Sequence, residues 1–156
     1  MVEEKPLADV TVSEVLMLSG KSRMPATVRK DATLKEASEA LIRNRETRKV
    51  YVVDEGSRLV GTITLETLLR HAGYSMGVRS SGVTSFLKML GEISKDKVSD
   101  SMDAPVKVLE DELIINATKL MVENHLNDLP VVDDEGRLVG ELNGLDILIM
   151  GKQFWG

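Results

Sequence analysis

The sequence contains no cysteine. Disulfides, thiol nucleophiles and Cys-ligated zinc or iron–sulfur centres are therefore excluded. Aromatic residues are scarce: two Phe, two Tyr and one Trp among 156 residues. That is too few for the stacking platforms that hold single-stranded nucleic acid. Positive charge is in deficit, with 20 Lys and Arg against 25 Asp and Glu and a formal net charge of −5. Such a balance argues against general nucleic-acid binding, which relies on clustered cations. The two histidines, His71 and His125, lie far apart, so there is no local His-x-x-x-His metal pair. No apolar run approaches the ~20 residues of a membrane-spanning helix. The opening MVEEKPLADV is acidic and lacks the apolar core of a signal peptide. The expectation is a soluble cytoplasmic protein that partners neither membrane nor nucleic acid.

What the chain does have is apolar material, 42% from AVILMFWYC, enough for the core of one ordinary domain or two very small ones. It also has an internal repeat. Val52 to Gly61 reads VVDEGSRLVG and Val131 to Gly140 reads VVDDEGRLVG, with seven of ten positions identical at an offset of 79. Leu34, Ala37, Ala40 and Leu41 recur as Ile114, Ala117, Leu120 and Met121, and Val12-Ser13-Glu14 recurs as Val98-Ser99-Asp100. A search for self-similarity thus divides the chain into a tail (1–10), a first repeat (11–72), an insert and linker (73–97), a second repeat (98–152) and a short tail (153–156).

Both repeats follow one pattern. A short stretch with β propensity, Ala26-Thr27-Val28 or Val106-Lys107-Val108, comes first. A helix with apolar residues at i, i+3, i+6 and i+7 follows. Thr33 with Glu36 forms a capping box in the first repeat, whereas Leu113 at the matching place predicts a weaker or shifted cap. Two strands joined by an acidic turn come next, and a last helix begins near Thr64 or Asn143. Pro130 lacks an N–H, which predicts a place at the start of its strand or on an edge. The expected fold is α/β (α+β): two β-α-β-β-α repeats packed as a pseudo-twofold pair, with a groove between their sheets. In the linker, Gly73 to Gly82 is rich in Gly and Ser and reads as a loop, mobile without ligand, before Phe86, Leu87, Leu90 and Ile93 return to helical spacing. The eight methionines, among them Met17, Met24, Met89, Met102 and Met121, read as core filler.

The hydrophobic-Pro-Val-Val-Asp strand (Leu129-Pro130-Val131-Val132-Asp133), the Leu-Val-Gly before the last helix and the two in-register copies resemble the cystathionine-β-synthase (CBS) domain in its tandem arrangement, the Bateman module. The likeness runs from about Thr11 to Met150. It implies a regulatory module that binds an adenine nucleotide (AMP, ADP or ATP) or a related adenosyl compound and signals to an effector protein. The nucleotide would be a regulatory ligand, and no cofactor is expected. The family closes each unit with Thr/Ser-x-x-Asp, whose Asp accepts the ribose hydroxyls and whose Thr/Ser helps hold ribose or phosphate. Here the first repeat keeps Thr64 but has Thr67 in place of the Asp, and the second keeps Asp146 but has Asn143 in place of the Thr/Ser. Arg48 and Lys49 occupy the slot that contacts phosphate in the family. Val106, Val108, Leu129 and Pro130 complete the expected ligand-binding set. Because only the second repeat retains the carboxylate and only the first carries the basic pair, one dominant site using Asp146 with Arg48 and Lys49 is expected.

The residues themselves support more than one role. A carboxylate accepts both O–H groups of a cis-diol through charge-assisted bonds, but Asp146 could equally decorate the first turn of its helix. Asn143 can donate an amide N–H or serve as an N-cap. Arg48 and Lys49 could bind phosphate or simply follow a helix C-terminus, where the dipole favours cations. Residues 20–49 carry nine Lys and Arg against four Asp and Glu, and residues 100–129 two against seven. Matching parts of the two repeats thus hold opposite charge, which could also pair between copies. Catalysis is not expected, since no nucleophile elbow is present and no histidine is placed as a general base. The nearly apolar stretch Leu145, Ile147, Leu148, Ile149 and Met150 predicts a homodimer. The alternative to a ligand-binding module is a degenerate CBS pair that serves only as a structural or dimerisation module.

Overall fold

The structure is a computed structural model that describes residues 6–19, 24–44, 48–76, 87–88, 91–92, 94–152 and 155. The chain forms two compact units that do not follow chain order: residues 1–24 with 106–156, and residues 25–105. Each lead-in helix is housed with the other repeat. In the first unit, α1 (Val12–Leu18) sits with the second repeat. The Ile114 N–H donates to the Val10 carbonyl and the Val12 N–H to the Glu112 carbonyl, both at 2.8 Å. In the second unit, α4 (Val98–Ser101) sits with the first repeat. There Leu34 N–H donates to the Asp96 carbonyl at 2.7 Å and Val98 N–H to the Ala32 carbonyl at 2.9 Å. Leu34 and Ile114 open helices, where backbone N–H groups have no partner within the helix. The lead-in segments supply those partners.

The second unit contains β1 (Thr27–Arg29), α2 (Leu34–Arg43), β2 (Lys49–Val53), β3 (Leu59–Thr64) and α3 (Leu65–Met76) besides α4. Its sheet has the order β1-β2-β3, with β1 parallel and β3 antiparallel to the central β2. Leu34, Ala37, Val52, Ile63, Leu68 and Val98 form its core. The first unit contains α1, β4 (Val108–Leu109), α5 (Ile114–Glu123), β5 (Asp128–Val132), β6 (Leu138–Asn143) and α6 (Gly144–Gly151). Its sheet, β4-β5-β6, has the same directions, and Val12, Val15, Ile114, Ala117, Leu129, Val131 and Leu142 lie in its core. The helix starts agree with the side chains available. Thr33 and Glu36 make a complete capping box, while Leu113 makes no side-chain cap bond. Glu112 Oε1 instead takes the Leu113 N–H at 2.9 Å and the Asn116 amide at 2.8 Å.

Three expectations are corrected. Pro130 lies in the middle of β5, the central strand, and not at its start. In the second unit Tyr51 N–H donates to the Ala26 carbonyl at 2.9 Å and Thr27 pairs with Tyr51. Pro130, at the matching place, has no N–H to give, and β4 begins one residue later, at Val108 opposite Val131. The sheet thus accommodates the proline by shortening its neighbour. Gly73 to Met76 are helical, because α3 runs to Met76. A helix already nucleated gains a hydrogen bond for every residue added, which offsets the roughly 1 kcal/mol that a glycine costs. The rest of that expected loop, 77–82, lies outside the described residues. Met17 and Met24 are exposed, whereas Met121 is in the core and Met102 packs on the other one. Val12 and Val15 turn the opposite face of α1 inward.

The acidic turns are built alike. Asp54 Oδ1 accepts from the N–H groups of Gly56 and Arg58, and Asp133 Oδ1 from those of Glu135 and Arg137, all at 2.9 Å. The Arg58 N–H is the chief reason that the Asp54 carboxyl lies below its ordinary range. Both turns have a left-handed residue before the arginine: Gly136 at φ 82° and Ser57 at φ 64°. Only glycine enters that region without a Cβ penalty. Ser57→Gly should therefore stabilise the protein by about 0.5–1 kcal/mol, and Gly136→Ser should destabilise it by a similar amount; urea melts of the two variants check both signs.

Candidate ligand-binding site

In both units the strand that follows the acidic turn runs straight into the last helix, and polar residues gather at that junction. In the first unit Asn143 caps α6 and Asp146 is its third residue. Asn143 N–H donates to Asp146 Oδ2 at 2.9 Å and Asp146 N–H donates to Asn143 Oδ1 at 3.1 Å, a reciprocal capping box. Asp146 is 1% exposed. It borders an open depression of about 200 Å³ lined also by Val15, Leu18, Ser19, Ile149 and Met150. That volume is below the roughly 300 Å³ at which ligand pockets usually start, so it suits a sugar-sized fragment better than a whole nucleotide.

The second unit reproduces the box with two hydroxyls. Thr67 N–H donates to Thr64 Oγ1 at 3.0 Å, and the two Oγ1 atoms are 2.9 Å apart. Thr67 Oγ1 also donates to Asp103 Oδ2 at 2.7 Å. A hydroxyl has a single proton, so with the Thr67 proton on Asp103, the Thr64 hydroxyl must donate to Thr67. Asp103 is held from several sides. Its backbone exchanges hydrogen bonds with Thr62 at 2.9 and 3.0 Å, and Arg70 donates to its Oδ1 at 3.2 Å. Nothing in the repeat pattern marks Asp103; the signal would have been its place directly after Met102, where the other lead-in segment has Met17.

The basic pair lies at the same junction. Lys49 is the β2 residue opposite Thr64, and the Arg48 carbonyl accepts the Leu65 N–H at 3.3 Å. In the first unit Asp128 stands opposite Asn143 and the Asn127 carbonyl accepts the Gly144 N–H at 2.9 Å. At one and the same structural place, then, the second unit carries cations and the first an acid. Arg43 is exposed at the end of α2, and Arg45 lies outside the described residues.

Of the expected ligand set, the second unit gathers Arg48, Lys49, Thr64 and Thr67, and the first gathers Asn143 and Asp146. The carboxylate and the basic pair therefore belong to different compact units. The apolar members belong to the first unit. Val108 and Leu129 are core residues, and Val106 packs against that core. Their side chains are spent on packing. Pro130 is buried at mid-strand. Among the described residues no group of three His, Asp or Glu is placed to hold a metal ion, and no helix is long and apolar enough to cross a membrane.

The tandem repeats, the two three-stranded sheets of like topology and the matching junctions define a CBS-domain pair. The CBS domain family matches residues 9–74 and 97–150; the chain belongs to that family. It is similar to a CBS domain-containing protein of Thermotoga maritima, with 31% identity, a TM-score of 0.70 and coverage of 93% of this chain and 96% of that one. It is also similar to the cytosolic domain of the Mg²⁺ channel MgtE solved in complex with ATP, with 28% identity, a TM-score of 0.61 and coverage of 80% of this chain and 44% of that one. Among curated proteins, the chloroplastic CBS domain-containing protein CBSX1 of Arabidopsis thaliana is 32% identical over 126 residues, covering 72% of this chain and 53% of that protein. An uncharacterized protein of Methanocaldococcus jannaschii is 42% identical over 67 residues, covering 42% of this chain and 40% of that protein. The matches thus span about half or less of these curated relatives.

Proposed function

We propose that the chain is a regulatory module that binds an adenine nucleotide or a related adenosyl compound and passes the occupancy of its site to a partner protein. The observation that carries this reading is the junction of strand and last helix. It sets cations beside hydroxyls in one unit (Arg48, Lys49, Thr64) and a carboxylate beside an open depression in the other (Asp146). Asp146 serves a ribose in the first unit, and Arg48 with Lys49 neutralises phosphate in the second. The ATP complex of the MgtE cytosolic domain lends support from a fold relative. A thermal-shift series with AMP, ADP, ATP and S-adenosylmethionine tests it. A ligand at about 100 times its dissociation constant stabilises by ~2.7 kcal/mol, roughly 5–10 °C in Tm for a chain of this size. Absence of any shift sinks the nucleotide reading and favours the alternative, a structural module. The alternative has its own observation: Asp146 is already engaged in the cap of α6.

The module works as a homodimer in this proposal. Leu145, Leu148 and Ile149 of α6 are 64%, 53% and 62% exposed, an apolar face that a second copy would cover. Sedimentation at micromolar concentration should give twice the 17.2 kDa chain mass; a monomer would reject the pairing.

A further inference from the structure

The carboxylate bonded to Thr67 at the basic pair's own junction comes from outside the helix. Thr67 takes the helix position that Asp146 takes in the other unit, and it offers only a hydroxyl. Asp103 stands 2.7 Å beyond that hydroxyl, brought in by the lead-in segment after α4. Its two backbone bonds to Thr62 fix it to the edge of β3, two residues before Thr64. Its carboxylate is reachable: the side chain is 49% exposed, whereas Asp146 is 1% exposed as a residue. Thr67 and Arg70 occupy one lone-pair direction on each oxygen. A carboxylate has about four such directions, so acceptor capacity is left for two further O–H groups. The same junction holds Lys49 opposite Thr64, with Arg48 beside it.

We propose that Asp103 is the carboxylate by which the second unit holds the vicinal diol of a phosphorylated ligand, with Arg48 and Lys49 taking the phosphate. The inference rests on the nucleotide reading above and adds to it a residue and a selectivity. The second unit is complete for a phosphorylated diol. The first, with Asp128 where the second has Lys49, disfavours phosphate and suits an uncharged diol instead.

The test is calorimetric titration of the full chain with AMP, 2′-deoxy-AMP and adenosine, following the binding event that requires phosphate. In the parent, 2′-deoxy-AMP should bind at least tenfold more weakly than AMP. Asp103→Asn should lose at least tenfold for AMP and no longer distinguish the two nucleotides. Adding Thr67→Asp to Asp103→Asn, which returns a carboxylate to the helix, should restore the discrimination. A parent that binds both nucleotides equally overturns the proposal without any variant. So does an Asp103→Asn protein that keeps both affinity and discrimination. A parent that binds neither AMP nor ATP overturns the nucleotide reading itself, and the inference with it, so the two failures are told apart by the parent alone.

Discussion

Asp146→Ala is expected to weaken adenosyl-ligand binding in the first unit ten- to a hundredfold. Hydrogen bonds to a charged group contribute about 1.5–3 kcal/mol, and about 1.4 kcal/mol is one decade of affinity. The same substitution removes half of a capping box, since Asp146 Oδ2 accepts the Asn143 N–H, so it should also lower stability by about 0.5–2 kcal/mol. Asp146→Asn separates the two effects. An amide oxygen can still accept the Asn143 N–H, but the negative charge that strengthens bonds to a diol is gone. Binding should fall while the melting temperature stays near that of the parent. Thr67→Ala, which removes only a neutral hydroxyl, should change ligand affinity in this unit little. Arg48→Ala with Lys49→Ala should weaken ATP and ADP more than adenosine, and that loss should shrink as salt rises. Calorimetry on these variants decides the matter. If Asp146→Ala binds as the parent does while its melting temperature drops, the carboxylate is a cap and nothing more.

The repeat made much of the fold readable. Two copies of one β-α-β-β-α pattern fixed where strands, turns and helices fall, and Thr33 with Glu36 marked a helix start that the structure reproduces. Features that depend on pairing between distant segments were hidden. The lead-in helices repeat in sequence as Val12-Ser13-Glu14 and Val98-Ser99-Asp100, yet each is housed with the other repeat. No local preference encodes that choice. It follows from which helix N-terminus receives the carbonyl groups of Val10 or Asp96. Pro130 departs from its expected place for a similar reason: its missing N–H is tolerated because the partner strand begins one residue later. Asp103 was invisible because its role comes from contacts with Thr62 and Thr67, 41 and 36 positions away. The motif residues Asp146 and Thr67 could be named from sequence, but their engagement as helix caps could not be told from exposure to a ligand without burial.

Gly61→Ala should destabilise the protein by about 1–3 kcal/mol, the usual cost of forcing atoms into a filled core, while Gly140→Ala should cost well under that. The two glycines hold the same place in the repeat, each buried and each opposite a valine of the central strand, Val52 and Val131. Their surroundings differ. A Cβ on Gly61 would run into the side chain of Met102, with Cγ at 2.7 Å and Cβ at 2.9 Å as well as the sulfur. The Met102 Cβ cannot swing away, because Met102 N–H is bonded to the Val98 carbonyl at 2.8 Å and Asp103 is tied to Thr62 on both sides. Relief requires a backbone shift in α4 or β3. A Cβ on Gly140 would meet only Leu16 Cδ1 at 3.3 Å, the far end of a flexible chain that can give by a few tenths of an ångström. Chemical melts of both single variants should show the difference, and Met102→Ala added to Gly61→Ala should be less damaging than the sum of the two single losses, the mark of residues that share one space. Equal losses at Gly61 and Gly140 would mean that Met102 is not held as described. The effect should also reach the ligand site. A segment pushed away at Met102 carries Asp103 off Thr67, so Gly61→Ala should weaken phosphate-dependent binding in the second unit even in the protein that remains folded.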